Sequence, residues 1–295
     1  MKVFVTGSNG FVAGYVIRQL LRQGHQVVAS SRSKDLSPFG ACPGFKFIQM
    51  DLTDAGAVEN AFAQYAPDAV VHAAALSKPD DCERNQHAAY ALNVGATETL
   101  LLQAEKHQSH FIFFSSDFIF NGETGMHTEE DHPDPISYYG YTKLKAEEAV
   151  TRYPFAWTIV RTVLVYGNTL YGRDSFVTMI AKMLQNKEPY RLVDDQVRTP
   201  TYAGDIADAI AAILERKATG IYHICGKDQT TPYKMALDIA RFLRIADPTI
   251  TPVPTAALKE LARRPLRSGL SIQKAVRELG YSPHSFEGGL KLSLG

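Results

Sequence analysis

The chain has no excess of charge of either sign and few cysteines. Basic and acidic residues each number 31 among 295, so the formal net charge is zero. This balance argues against a general nucleic-acid binder, but it leaves room for a local basic pocket that takes a small phosphorylated ligand. The three cysteines, Cys42, Cys82 and Cys225, contain no CxxC pair. We therefore expect neither a disulfide framework nor a structural zinc site, and a reducing cytosol is the default compartment.

Long apolar runs are also missing. No apolar stretch reaches about 18 residues, so we expect no transmembrane helix. The opening MKVFVTGSNG leads directly into a strand and a glycine turn, without the leader pattern of a signal peptide. Apolar residues still make up 45% of the chain, which is enough for a sizeable core. These features predict a cytoplasmic protein with no membrane partner.

Short apolar segments alternate with amphipathic helical segments through the first half of the chain. Strands are predicted at 2–6, 25–30, 45–50, 69–75, 110–115 and 158–165, and helices at 12–23, 57–65, 90–107 and 139–152. Strands that are apolar on both faces and alternate with helices form a parallel sheet covered on both sides. We therefore predict an α/β fold with a Rossmann-type doubly wound parallel sheet over 1–166.

The pattern changes after residue 166. Predicted helices at 176–185 and 205–215 are mixed with polar connections, and a strand at 220–225 is expected to return to the large sheet. The tail from residue 254 is predicted to be helical with basic and proline-containing breaks. We expect 167–295 to form mainly a smaller substrate-binding region.

A glycine-rich turn, TGSNGFVAG at 6–14, follows the first strand. Gly7 and Gly10 allow the backbone to turn sharply and to approach a pyrophosphate, and Ala13 is the third small position. The helix that follows offers free N–H groups to the anion. Such a pattern also fits an ordinary strand-to-helix turn, but its place as the first βα turn favours dinucleotide binding.

The end of the second strand indicates which dinucleotide is bound. No acid occurs there before Asp35, whereas Ser31 and Arg32 suit a 2′-phosphate, so we expect NADP(H) rather than NAD(H); a solvated basic turn is the alternative. Asp51 is placed to bond the adenine amino group; the alternative is that this acid-rich strand end serves only to cap the next helix, through Thr53 or Asp54. His72, inside an apolar strand, is expected to be a packed, hydrogen-bonded histidine. The cofactor-binding candidates are Gly7, Ser8, Asn9, Gly10, Phe11, Val12, Ser31, Arg32, Asp51, Leu52, Ala73, Ala74 and Ala75.

Two tyrosine–lysine pairs have helical i, i+4 spacing: Tyr139 with Lys143, and Tyr141 with Lys145. A neutral tyrosine can give a proton to a carbonyl, and a lysine ammonium can stabilise the resulting tyrosinate. The two pairs point to nearly opposite sides of the helix, so only one of them can face a cofactor. The spacing alone does not choose between them.

The sequence here resembles the extended short-chain dehydrogenase/reductase family, with its TGxxGxxG turn and its Tyr-Gly-x-Ser/Thr-Lys motif, which matches 139–143. The resemblance implies that Ser116 orients the carbonyl and that Tyr139 is the acid/base. It also implies that Lys143 is the electrostatic partner of Tyr139 and a ribose ligand, and that Asn93 supports the relay. Asn93, Tyr139 and Lys143 thereby join the cofactor-binding candidates.

Further segments are similar to the dTDP-4-dehydrorhamnose reductases of that family: FSSDFIFNG at 114–122, RTVLVYG at 161–167, DQVRTPT at 195–201 and RPLRSGL at 264–270. The resemblance implies NADPH-dependent reduction of the keto group of a nucleotide-linked 4-keto-6-deoxy sugar. It places Asp117, Gln196, Arg198 and Arg264 around the substrate. The chain departs from the family pattern at Ala13, Phe118 and Arg198, and the last two lie on the substrate side.

Two other functions fit parts of this pattern. A nucleotide-sugar epimerase or dehydratase would keep its NAD(P) tightly bound, although dehydratases carry an Asp-Glu pair where this chain has Asp117 and Phe118. A related branch serves as a non-catalytic, NADP-binding regulatory subunit of methionine adenosyltransferase. A homodimer is compatible with each function. We expect no metal site, because His127 and His132 flank acids on a polar loop that we predict to be solvated.

Overall fold

The alternating segments build one parallel sheet in the computed structural model, which describes residues 1–172 and 174–295. Within those residues the strands are β1 (Lys2–Thr6), β2 (Gln26–Ser31), β3 (Phe45–Gln49), β4 (Ala69–His72), β5 (His110–Ser116), β6 (Trp157–Thr162), β7 (Val165–Tyr166), β8 (Tyr190–Val193), β9 (Thr201–Tyr202), β10 (Gly220–His223) and β11 (Ile250–Val253). Seven of them pair in the order β10-β6-β5-β4-β1-β2-β3, all parallel. Two-stranded sheets join β11 to β8 and β7 to β9.

The helices of the described residues cover both faces of the large sheet. They are α1 (Phe11–Arg22), α2 (Ala55–Tyr65), α3 (Pro79–Arg84), α4 (Gln86–Tyr90), α5 (Ala96–Lys106), α6 (Tyr138–Thr151), α7 (Phe176–Gln185), α8 (Ala203–Arg216), α9 (Pro232–Phe242), α10 (Gln273–Leu279) and α11 (Phe286–Leu294). In this part of the chain, none of the helices combines the length and apolar composition needed to cross a bilayer.

Alternate residues of β1 face the two layers of the core. Val3 and Val5 pack in the cluster that contains residues of α1 and α8, while Phe4 packs in the cluster that contains residues of α2, α5 and α6. This two-sided burial is what continuous apolar strands require. The predicted Rossmann-type α/β fold is confirmed.

Strand β10 lies within 167–295 and pairs with β6 in the large sheet. The sheet therefore draws on both sides of the expected boundary at residue 166. His72, at the end of β4, is packed and hydrogen-bonded as expected: its ring nitrogens lie 2.7 Å from Thr6 Oγ1 and 3.0 Å from Thr97 Oγ1. Burial lowers the pKa of His72 to about 3, so the ring is neutral.

Several predicted boundaries were wrong. Strand β4 ends at His72, so Ala73, Ala74 and Ala75 lie in the loop beyond it. The segment predicted as one helix over 90–107 is α4, a π-helical turn at Ala91–Gly95 and then α5. The segment predicted as one strand over 158–165 is β6 followed by β7, because β7 pairs with β9 outside the large sheet.

The C-terminal tail is less helical than predicted. Apart from a single 3-10 turn at Thr255–Ala257, the described tail is helical only in α10 and α11. Between them and the 3-10 turn, backbone groups pair with distant loops: Arg267 N donates to Gly122 O, and Ser268 N donates to Val197 O. Pro265 also interrupts any helix here, because it has no N–H to donate.

Candidate active site

The three catalytic candidates lie together at the carboxyl end of the sheet. Ser116 is the last residue of β5, and Tyr139 and Lys143 lie on successive turns of α6. Ser137 caps α6 by accepting a hydrogen bond from Gly140 N at 3.2 Å. Tyr139 is 9% exposed and Lys143 is 3% exposed, so α6 turns this pair into the protein.

The second tyrosine–lysine pair faces outward. Tyr141 is 39% exposed. Lys145 forms an ion pair with Glu148 at 2.8 Å on the surface of the same helix. The fold therefore brings only Tyr139 and Lys143 to the end of β5, as their opposite directions on the helix require.

A glycine lets α6 approach the loop after β5. A Cβ atom placed on Gly140 would lie 2.0 Å from the backbone oxygen of Phe118. No side chain fits at that distance, so Gly140 sets how closely Tyr139 approaches the 3-10 turn at Asp117–Ile119.

Burial shapes the acid–base properties of the pair. Burial raises the pKa of the Tyr139 phenol, while contact with Ser116 lowers it in part. Burial also lowers the pKa of Lys143 to about 7, and the nearby Glu147 carboxylate acts in the opposite direction. The Lys143 ammonium lies 4.0 Å from the centre of the Phe113 ring, where a cation is attracted to the aromatic face.

Glu147 extends the line of Tyr139 and Lys143 by one more helical turn, and the sequence analysis did not identify it. Its carboxylate makes a buried two-point ion pair with Arg161, through Nε–Oε1 at 3.0 Å and Nη2–Oε2 at 2.7 Å. Glu147 follows Lys143 at the same i, i+4 spacing that relates Lys143 to Tyr139, and this spacing could have identified it from the sequence.

Asn93 lies in the π-helical turn and connects two parts of the site. Its side chain accepts from Leu76 N at 2.8 Å and donates to Leu76 O at 3.2 Å and to Thr142 Oγ1 at 3.0 Å. Single π-helical turns are frequent at functional sites. Asn93 holds the loop after β4 against α6, next to Lys143.

The glycine turn has the geometry that a pyrophosphate needs. Gly7 has a φ of +66°, and a Cβ there would lie 2.8 Å from the backbone of Ala74. Among the described residues no side chain caps α1, whose N-cap is Gly10. Side chains cap α2, α4, α6, α7, α9 and α11, whereas α3, α8 and α10 begin without such a cap, as α1 does. The bare N-terminus of α1 leaves its first amides for an anion, so these residues fit a dinucleotide.

Asn9 joins the glycine turn to the end of β2. Its side-chain amide donates to Ser31 Oγ at 2.9 Å, to Ser33 Oγ at 3.0 Å and to Lys34 O at 2.8 Å. Arg32 lies between these partners and is exposed. The fold thus brings the predicted 2′-phosphate residues beside the predicted pyrophosphate turn.

The other cofactor candidates lie around this turn. Asp51 uses its Oδ1 locally, accepting from Thr53 N at 2.9 Å and from Thr53 Oγ1 at 2.8 Å. Ser8 and Leu52 are buried. The remaining candidates are partly buried: Phe11, Val12, Ala73, Ala74 and Ala75.

Asp117, Gln196 and Arg198 form a connected polar group next to Ser116. Ser116 Oγ donates to Asp117 Oδ1 at 2.9 Å. Arg198 lies 3.5 Å from Asp117 Oδ2 and donates to Gln196 Oε1 at 2.5 Å. Burial raises the pKa of Asp117, and the Arg198 guanidinium opposes that rise.

Two arginines lie beside the ring of Phe118. The guanidinium carbon is 5.5 Å from the ring centre for Arg198 and 5.9 Å for Arg264. The same ring packs edge-on against Tyr139, with 5.6 Å between ring centres. Phe118 thus lies between the two cationic side chains and Tyr139.

The segment around His127 is only partly the solvated loop that we predicted: Thr128, Glu130, Asp131 and His132 are exposed, whereas His127 is buried. The His127 ring stacks on Phe120 with 4.1 Å between ring centres, and Glu129 accepts a hydrogen bond from His223 N at 2.9 Å. These contacts bury parts of a polar segment, which composition alone did not indicate. In the part of the chain that the structure describes, no group of three or more His, Cys, Asp or Glu side chains is placed to hold a metal ion.

Comparison with known proteins identifies similar chains over the whole length. The family model described as RmlD substrate binding domain matches residues 1–295. A probable low-salt glycan biosynthesis reductase, Agl14, from Haloferax volcanii is 33% identical over 290 residues, which cover 97% of this chain and 95% of that protein. Methionine adenosyltransferase 2 subunit beta from Mus musculus is 30% identical over 300 residues, which cover 99% of this chain and 87% of that protein.

A solved structure is similar in the same way. The crystal structure of a dTDP-4-dehydrorhamnose reductase from Clostridium acetobutylicum has a TM-score of 0.87 and 28% identity, and the match covers 99% of this chain and 97% of that one. Its fold and the fold described above therefore correspond from end to end.

Proposed function

This chain belongs to the RmlD substrate binding domain family, and from that membership we propose that it reduces the keto group of a nucleotide-linked 4-keto-6-deoxy sugar with NADPH. Its relatives include sugar reductases, which are NAD(P)-dependent oxidoreductases of the extended short-chain dehydrogenase/reductase type. The preference for NADPH and the identity of the sugar are the parts that we propose.

One observation carries the proposal: Ser116, Tyr139 and Lys143 converge at the carboxyl end of β5. Ser116 and Tyr139 would bind the substrate carbonyl oxygen, and Tyr139 would donate its phenolic proton to that oxygen. The Lys143 ammonium would stabilise the tyrosinate that forms. When bound, the reduced nicotinamide supplies the hydride for the keto carbon.

The cofactor half of the proposal depends on the glycine turn and the end of β2. Gly7, Gly10 and the uncapped start of α1 would hold the pyrophosphate. Arg32 is exposed beside the Asn9 bridge, where a 2′-phosphate would lie. We extend the proposal to a cytosolic enzyme, because Cys42, Cys82 and Cys225 are all unpaired thiols.

The substrate half depends on the two arginines. Arg198 and Arg264 lie on the Phe118 ring close to Tyr139, and a planar guanidinium pairs well with the oxygens of a diphosphate. Asp117 would face the sugar next to Ser116, and Gln196 would hold Arg198 in place. Phe118 and Arg198, the two substrate-side residues that depart from the family pattern, both lie here. We therefore expect this enzyme to differ from its relatives in the sugar that it binds.

A second candidate function follows from the similarity to methionine adenosyltransferase 2 subunit beta. In that case the chain would bind NADP and a partner enzyme without turnover. An intact Ser116, Tyr139 and Lys143 set favours the reductase, because a purely regulatory subunit has no use for a buried proton donor.

The first experiment follows absorbance at 340 nm with NADPH and a dTDP-4-keto-6-deoxy sugar. We expect net loss of NADPH with the wild-type protein and a fall of about a hundredfold or more in Tyr139→Phe, because a general acid contributes roughly that much. Tyr141→Phe is the matched control on the same helix. It should retain full turnover, since Tyr141 faces outward.

Other outcomes point to the alternatives. Near-wild-type turnover in Tyr139→Phe would refute the assigned proton donor. Conversion of substrate without net NADPH loss would indicate an epimerase or dehydratase. NADPH binding without any conversion, together with a co-purifying partner enzyme, would support the regulatory subunit.

A further inference from the structure

Helix α3 contacts both sides of the site, although the sequence predicted no function for any of its residues. Asp80 Oδ1 accepts hydrogen bonds from Arg264 Nη2 at 2.8 Å and from Ala262 N at 3.1 Å. One turn later, Glu83 Oε1 accepts from Tyr138 N at 2.8 Å. The helix therefore joins the C-terminal segment that carries Arg264 to the start of α6.

Arg264 is held along one edge and free along another. Asp80 binds Nη2, and Glu260 lies 3.3 Å from Nε. Nη1 is buried and has no hydrogen-bond partner among residues 1–172 and 174–295. A buried N–H donor without an acceptor is costly, so an oxyanion that reached this edge would gain a strong, charge-assisted hydrogen bond. The guanidinium carbon lies 5.9 Å from the centre of the Phe118 ring, and that ring also packs against Tyr139.

Stabilisation of the helix itself does not account for the position of Asp80. Asp80 and Asp81 both lie in the first turn of α3, where either carboxylate interacts favourably with the helix dipole. Asp81 pairs only locally, with Arg84 on the surface at 2.8 Å. Asp80 instead reaches a segment 182 residues further along the chain. The two neighbours thus differ mainly in the contact with Arg264.

We propose that Asp80 is a positioning residue for substrate binding, which holds Arg264 so that its free edge meets the diphosphate of the nucleotide sugar. The inference rests on the proposed function, because it takes the ligand to be a nucleotide diphosphate. Without Asp80, Arg264 keeps its contacts with Glu260 and with the Phe118 ring, but the guanidinium is no longer oriented from the α3 side. Diphosphate binding should weaken, whereas proton transfer from Tyr139 should be unaffected.

The test compares Asp80→Ala with Asp81→Ala, each saturated with NADPH and titrated with dTDP and with UDP by calorimetry. For the nucleotide that binds wild-type protein, we expect Kd to rise roughly tenfold in Asp80→Ala and to change less than about twofold in Asp81→Ala, since only the first loses the part-buried charged contact with Arg264. With the sugar nucleotide as substrate, KM should rise in parallel while kcat is unchanged. NADPH affinity should stay at its wild-type value.

The outcomes separate this inference from the function on which it rests. If neither nucleotide binds wild-type protein, the proposed function fails and the role of Asp80 fails with it. If a nucleotide binds wild-type and Asp80→Ala protein equally well, the positioning role alone is wrong. Equal weakening in both variants, or weaker NADPH binding in Asp80→Ala, would indicate a loss of α3 structure and would also overturn the positioning role.

Discussion

At the scale of single residues, burial changes the acid–base properties of Tyr139 and Lys143. Tyr139 and Lys143 are both removed from water, and the cost of charging a buried group raises the pKa of the phenol and lowers that of the ammonium. The ion pair of Glu147 and Arg161, one turn further along α6, keeps a negative charge near Lys143. The pKa values of this proposed acid–base pair therefore depend on the surroundings of the two side chains, and not only on their spacing along the helix.

The pKa of Lys143 predicts how the reaction depends on pH. Burial lowers that pKa to about 7, and the ammonium form is the one that stabilises a tyrosinate. As pH rises through this value the ammonium is lost, so kcat/KM for reduction should fall by roughly tenfold per pH unit above it. Tyr139 adds no second fall nearby, because its pKa is raised. Initial rates between about pH 6 and pH 9 at constant ionic strength would measure the profile.

Lys143→Met provides the control for this profile. The variant should be much slower at all pH values and should lose the descending limb near pH 7, because the titrating group has been removed. If the limb persisted in Lys143→Met, another group would be responsible for it. A flat wild-type profile up to pH 9 would show that Lys143 stays charged or does not contribute.

At the scale of elements, the site depends on how closely α6 packs against the loop after β5. Gly140 is the contact point, since a Cβ there would lie 2.0 Å from Phe118 O. Helix propensity alone favours alanine over glycine by about 1 kcal/mol. The tertiary contact reverses this preference, because the backbone at Phe118 cannot move without shifting the turn that carries Asp117.

Gly140→Ala should therefore destabilise the protein by about 1–3 kcal/mol, the usual cost of overpacking, and should lower kcat by moving Tyr139. Urea unfolding and steady-state kinetics would measure the two effects. Gly95→Ala is the matched control, because a Cβ at Gly95 meets no atom within 4 Å among the described residues. It should leave stability unchanged or slightly higher. A Gly140→Ala protein as stable and active as the control would contradict the packing argument.

At the scale of the whole molecule, cofactor binding should raise the free energy of unfolding of the entire chain. Most of the proposed cofactor residues come from the loops after β1, β2, β3 and β4, so a dinucleotide that binds only the folded protein would tie these loops together. At about one hundred times Kd, such a ligand adds about 2.7 kcal/mol to the free energy of unfolding. Thermal unfolding with NADPH and with NADH at equal concentration would measure the preference.

NADPH should raise the melting temperature of wild-type protein more than NADH does. In Arg32→Ala the advantage of NADPH should largely disappear, because the exposed guanidinium next to Ser31 is the expected partner of the 2′-phosphate. Arg22→Ala is a suitable control, since Arg22 is the last residue of α1 and lies at the far end from the glycine turn. Equal stabilisation of wild-type protein by the two cofactors would contradict the proposed preference.

Local sequence determined much of the fold and part of the site. Apolar segments of strand length determined the strands of the large sheet, the TGSNGFVAG turn determined the first βα connection, and helical spacing placed Tyr139 and Lys143 on one face. These features depend on neighbours within a few residues, so they can be predicted without knowing the rest of the chain.

Only the tertiary structure decided which candidates meet and which residues support them. Spacing could not choose between the pairs of Tyr139 and Tyr141, whereas packing of α6 buries the first and exposes the second. The contact of Asp80 with Arg264 spans 184 positions, and no local pattern indicates it. Long-range contacts of this kind depend on how the loops are placed by the whole sheet, and for that reason the sequence alone could not show them.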